Sequence, residues 1–155
     1  MTAGPARLRD LVPASLLVAA LGGAAAAAPA CGPHAMSPAA SSEWLLFGGA
    51  DGRLGCPLGD EHDAAPSPPG TLAREVDFAG GALFLHTSGQ RAGQAFVVAA
   101  CYRWYFQLGG AGGWLGLPLA EALNTPDGQV QRFEGGSLTQ TRATDACEAT
   151  RGGVR

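Results

Sequence analysis

A chain of 155 residues that is 46% hydrophobic and 15% charged has apolar material for one modest core, so a single compact domain is expected. The net charge is -3, lysine is absent and the arginines are scattered singly. Binding to a phosphate backbone rests on clustered basic side chains, so nucleic acid is excluded as the expected partner.

Residues 1–30 have the order of an export signal. Arg7 and Arg9 precede the apolar run LVPASLLVAALGGAAAAAPA, which ends in Ala28, Pro29 and Ala30, an A-x-A cleavage site. The run approaches the roughly 20 apolar residues that span a membrane. Its alanine content, Pro13 and paired glycines favour a cleaved signal peptide over a retained anchor. Cys31 follows directly, and its position resembles the acylated cysteine of the bacterial lipobox, with Ala28 where leucine is usual. Four cysteines, Cys31, Cys56, Cys101 and Cys147, make two bridges in an oxidising compartment, whereas lipidating Cys31 leaves an odd number. Secreted and lipid-anchored forms both stay open, and membrane contact is expected only in the second.

In the mature chain, Met36, Ala40, Trp44 and Phe47 recur at steps of four, four and three, which places them on one face of a helix. Gly48 and Gly49 end it, because glycine tolerates the left-handed backbone of a helix terminus, and Pro57 prevents its continuation. Between them an LGxP turn points Leu54 inward, with Leu58 as a second apolar plug.

Asp60, Glu61, His62 and Asp63 come next. Carboxylates beside an imidazole can ligate a metal or transfer protons. Four adjacent loop residues seldom converge on one point, however, and the sequence offers no second cluster to complete a site; His34 and His86 stand alone. A solvated turn with a structural acid is expected, with no catalytic residue, metal or cofactor; a G-x-S-x-G elbow is also absent. The stretch DAAPSPPGTLARE then reads as a surface loop, and VDFAGGAL with ALFLH as short strands joined through Gly-Gly.

The chain then repeats itself. Val97, Cys101, Tyr105 and Leu108 have the same helical spacing, and GGADGRLGCP at 48–57 returns as GGAGGWLGLP at 109–118. The match pairs Trp44 with Tyr105, Leu54 with Leu115, Gly55 with Gly116 and Pro57 with Pro118. Farther on, Phe78 and Leu83 correspond to Phe133 and Leu138 of VQRFEGGSL; the offset falls from 61 to 55, so the first copy carries six extra residues in its Pro-rich loop. The expected fold is α+β: a tandem repeat of a helix, an LGxP turn and a short β-hairpin, whose two units bury their apolar faces in one shared core. The domain is expected over 31–148, with units at 36–92 and 93–147 and a flexible tail at 149–155.

These strings resemble the LGFP repeat of exported bacterial proteins. The pattern stands here as Gly48, Gly49, Gly52, Leu54, Gly55, Pro57, Asp60 and Glu61 with Phe78, Gly80 and Gly81, and again as Gly109, Gly110, Gly113, Leu115, Gly116, Pro118 and Glu121 with Phe133, Gly135 and Gly136. The resemblance covers almost the whole mature chain. It implies a non-catalytic module that holds its host against the cell wall, with cell-wall polysaccharide or peptidoglycan as partner. Two units are fewer than the family's larger arrays carry, so self-association is a further expectation.

The chain departs from the family where Cys56 and Leu117 replace an aromatic, Tyr105 replaces tryptophan and Cys101 takes an aliphatic position. Because Cys56 and Cys101 both fall on core positions of the family pattern, the resemblance suggests a Cys56–Cys101 staple, with Cys31–Cys147 joining the ends.

Trp114 corresponds to Arg53, so this position is expected to be exposed in both copies, as a ring for a sugar face and a guanidinium for an anionic or hydroxylated polymer. The competing reading has Trp114 covering a seam between the repeats. Tyr102 and Arg103, off the inward helix face, and Asp60 with Glu61 complete the candidate binding set. The alternative function is a disulfide-stapled interaction protein that uses the same surface for a protein partner or for itself.

Overall fold

The computed structural model describes residues 31–152. The expected signal peptide lies outside them. Helix α1 spans Pro38–Leu46. Ser37 caps it by accepting the Ala40 amide at 3.3 Å, and Pro38 supplies a first-turn φ that suits a helix start. Gly48, with φ 93°, takes the left-handed conformation that ends the helix, and a one-turn 3-10 helix, Gly49–Asp51, follows. A Cβ on Gly52 would collide with the Phe47 carbonyl oxygen, so the turn closes only around glycine. The second half repeats this order with α2 (Tyr102–Gln107), Gly109 at φ 102°, a 3-10 turn at Gly110–Gly112 and Gly113 against the Leu108 carbonyl.

Each half then forms a four-stranded antiparallel sheet, larger than the expected hairpin. The first runs β1 (His62–Asp63), β2 (Ala73–Phe78), β3 (Gly81–His86) and β4 (Ala95–Val98), paired in that order. The second runs β5 (Leu123–Thr125), β6 (Gly128–Phe133), β7 (Gly136–Thr141) and β8 (Cys147–Arg151), also in order. Pro57 bridges to Phe78, and Pro118 to Phe133, which ties each LGxP turn to its own sheet.

Several expectations are corrected here. Val97 lies on β4 opposite Leu83, not on a helix, because the β-branched pair Val97–Val98 buries both sides within the sheet. Cys101 precedes α2 in a left-handed conformation. Strand β4 pairs with β3 of the first sheet as far as Val98. Strand β8 pairs with β7 as far as Arg151. Leu54 and Leu115 are buried as expected, but Leu58 is 65% exposed and plugs nothing. In the extra loop, Ala64 and Ser67 are buried although the loop was expected on the surface.

The disulfides also differ from the expected pairing. Cys31 bonds Cys56 and Cys101 bonds Cys147, so each bridge closes its own half. The reason is local: residues 31–37 run past the first LGxP turn, and Cys147 faces the start of α2 from the edge strand β8. The Cys31 sulfur is thereby committed to Cys56, which leaves no thiol for a lipid. Two disulfides and no free cysteine among the described residues are the mark of an oxidising, extracytoplasmic environment. No described helix is long and apolar enough to cross a membrane.

The first sheet is covered on both faces. Val76, Phe78, Leu83 and Val97 pack with Leu54 and Ala40 under α1, and Met36, Trp44 and Phe47 close that core. Ala73, Ala82, Phe84 and Val98 on the other face pack against Tyr105, Leu115, Leu117 and Phe133 of the second half. Tyr105 is the centre of this shared core, stacked on Phe133 at 5.1 Å and edge-on to Phe84 at 5.8 Å. Where the first sheet buries Ala82 and Phe84, the second has Ser137 and Thr139, both partly exposed, so its outer face ends the stack with polar side chains.

The Trp-to-Tyr exchange keeps one hydrogen bond. Trp44 Nε1 donates to the Gly55 carbonyl at 2.9 Å, and Tyr105 Oη donates to the Gly116 carbonyl at 2.9 Å. Both side chains thus hold the carbonyl of their own LGxP glycine, which a phenylalanine would leave unbonded.

Candidate functional site

Helix α2 is only six residues long, and its sequence YRWYFQ contains four aromatics. Tyr105 alone is buried; Trp104 and Phe106 stay 41% and 39% exposed. Tyr102 donates to the Ala79 carbonyl at 3.0 Å and accepts from Arg103 Nε at 3.2 Å, so its ring is fixed in place by the neighbouring turn.

Two clefts meet at Tyr102. The first, about 470 Å³, lies between α2 and the edge of the first sheet; Tyr102 and Phe106 form one wall, and Leu58, Asp60, His62 and Asp77 the other. The second, about 530 Å³, is lined by Tyr102, Arg103, Trp104, Gln107 and the Cys101–Cys147 bridge. Rings across an open cleft can stack on an apolar sugar face while the carboxylates opposite accept hydrogen bonds from its hydroxyls.

The acidic turn divides into two roles. Asp60 Oδ1 accepts the Ala35 amide at 2.9 Å and Glu61 Oε2 accepts the Ser37 amide at 2.6 Å, so together they hold the chain that enters α1. Burial pushes the Glu61 carboxyl up, but the bonds from Ser37 and Arg74 outweigh it and hold the group below its ordinary range. Glu121 does the same work in the second half by accepting the Val97 amide at 2.7 Å. Gln131 donates to the Val97 carbonyl at 2.8 Å, so side chains of the second half satisfy the edge of β4. Each of these acids thus accepts a backbone amide of the chain that leads into a helix.

His62 and Asp63 form β1 rather than a solvated turn, and the pairing supplies the second cluster that sequence reasoning did not find. His62 lies opposite Glu75, and Asp77 follows two residues later on the same face. His62 Nε2 is 4.0 Å from both Glu75 Oε2 and Asp77 Oδ2. Burial, and then the Asp77 charge, push the Glu75 carboxyl up to about 7 against the opposing pull of His62. One nitrogen or oxygen atom from each of these three residues lies within 4.8 Å of the others.

The other candidates are dispersed. Trp114 is half-buried against the shared core, with the Arg151 guanidinium 4.5 Å over its ring. Arg53 is exposed but lies over Phe47 of its own half at 4.8 Å. Of the expected set, Asp60 and Tyr102 share the first cleft, and Tyr102 and Arg103 share the second. Trp104 and Phe106 were missed, although a signal was present: one buried stripe takes about a third of a helix, so four aromatics in YRWYF must leave some outside.

In comparisons with known proteins, no family model matches the chain, and no curated protein matches it either.

Proposed function

We propose that the protein is an exported, non-catalytic module of two LGFP-like units that associates with cell-wall polysaccharide or peptidoglycan through α2 and its two clefts. The observation that carries this reading is the outward pair Trp104 and Phe106, on a helix whose core position Tyr105 already fills. Exposed rings beside fixed polar groups are what a sugar-binding surface needs; Phe106 also packs edge-on against Tyr105 at 5.4 Å, which fixes its ring at the cleft, and Trp104 stays open on the other side of the helix. The tandem-unit part of the reading rests on the matched strings, the paired carbonyl bonds from Trp44 and Tyr105, and the acids that bind the amides of the chain entering each helix.

The test is tryptophan fluorescence titrated with soluble fragments released from cell walls. Saturable change that is absent in Trp104→Phe but retained in Trp114→Phe supports the assignment; change that follows Trp114 instead moves the site, and no change at any concentration rejects it.

One observation favours the second reading, an interaction protein. Leu45 and Leu46 of α1 are 64% and 80% exposed, at the end of the stack away from the polar face of the second sheet. Under that reading a protein partner or a second copy covers them, and Leu46→Ser alters the sedimentation behaviour of the protein without affecting polymer binding.

A further inference from the structure

We propose that His62, Glu75 and Asp77 form a binding site for a divalent transition-metal ion of the Zn²⁺ class, on the cleft wall that faces Tyr102 and Phe106. The inference stands apart from the cell-wall reading, since it rests on a different set of side chains and is tested with metal alone.

The geometry is set by strand register. Glu75 is the direct partner of His62 across the β1–β2 pair, and Asp77 projects from the same face of β2. One ligand atom from each residue lies within 4.8 Å of the others. A tetrahedral ion with bonds of about 2.0 Å places its ligand atoms about 3.3 Å apart, so small side-chain rotations close the site without moving the strands.

Two further observations point to a cation. His62 Nδ1 lies 3.3 Å from the Asp60 carbonyl oxygen. A carbonyl only accepts, so Nδ1 is the donor in this contact, and Nε2 is the atom turned towards the two carboxylates and able to ligate once it has no proton. This outer hydrogen bond is the device that orients a metal-ligating histidine. The Glu75 side chain is also only 9% exposed, faces His62 Nε2 and has no hydrogen-bond donor among the described residues. Two carboxylates, one of them buried, converge on one imidazole nitrogen, an arrangement that a bridging cation would hold together. Half-exposed His62 and Asp77 leave the outer coordination positions open to the cleft for water or for a hydroxyl or phosphate oxygen of a ligand. One imidazole with two carboxylates suits Zn²⁺ or a similar ion better than Ca²⁺ or Mg²⁺, which prefer oxygen alone. All four cysteines are bonded and do not compete for the metal.

The experiment is isothermal titration of the oxidised, chelator-treated protein with ZnCl₂, CaCl₂ and MgCl₂ at pH 7.5. The expected result is one Zn²⁺ per chain, tighter than Ca²⁺ and Mg²⁺, weakened at least tenfold in His62→Ala and in Asp77→Asn, and unchanged in His34→Ala. Zn²⁺-dependent protection against thermal unfolding, lost in the same two variants, supplies a second readout. Zn²⁺ binding that survives the His62→Ala/Asp77→Asn pair overturns the site, as does dependence on His34. Preference for Ca²⁺ overturns the metal class, and no saturable heat with any of the ions overturns the proposal entirely.

Discussion

Replacing Glu75 by glutamine isolates the electrostatics of the cleft wall. Burial and the neighbouring Asp77 raise the carboxyl from 4.5 to about 7. The folded chain therefore binds this proton more tightly than the unfolded chain does. Between pH 4.5 and about 7 folding takes up a proton, so the stability contributed by neutral Glu75 is present at low pH and is lost as pH rises through that window. At about 1.4 kcal/mol for each pH unit, the full loss is about 3 kcal/mol. Glutamine keeps the shape, stays neutral at every pH and escapes the loss. The expected outcome in urea denaturation, with disulfides intact and EDTA present, is that Glu75→Gln gains under about 1 kcal/mol at pH 5 and about 3 kcal/mol at pH 8. An equal gain at both pH values, or destabilisation at pH 8, refutes the reasoning.

Other predictions concern the framework. Tyr105→Phe removes the donor that holds the buried Gly116 carbonyl and costs about 1–3 kcal/mol in the same assay, with Trp44→Phe as the parallel change in the first half. Glu121→Ala strips the Val97 amide of its partner at the edge of β4; a loss of about 1–2 kcal/mol and faster amide exchange at Val97 are expected. Peptide mapping without reduction yields Cys31–Cys56 and Cys101–Cys147, and a Cys56–Cys101 peptide contradicts the structure. Removing the second bridge, which spans 46 residues, costs about 4 kcal/mol on the chain-entropy account.

What was legible in the sequence was local. The inward face of Ala40, Trp44 and the capping Phe47, the glycine stops and the inward Leu54 and Leu115 follow from spacing and backbone sterics, and the structure has them; Met36 packs with that face but from ahead of the helix, which starts at Pro38. Val97 was misplaced because AFVV followed by a helix fits helical steps as well as strand alternation; only pairing with β3 decides between them. The cysteine pairing was not determined either, since four cysteines allow three connectivities and the choice depends on where residues 31–37 run. His62 and Glu75 meet only through strand register, which no short window contains. The polar outer face at Ser137 and Thr139 was present in the letters, but its meaning depends on knowing that Ala82 and Phe84 occupy the matching positions of a buried sheet.

Under the proposed function, the α2 surface attaches the protein to cell walls. Cosedimentation of the oxidised protein with purified sacculi across a salt series tests it most directly. Retention in the pellet is expected to survive high salt and to fall at least tenfold in Trp104→Ala/Phe106→Ala, since two rings at about 1 kcal/mol each exceed one decade of affinity. Protein that remains in the supernatant at every salt concentration, or a double variant that pellets as fully as the wild type, contradicts it.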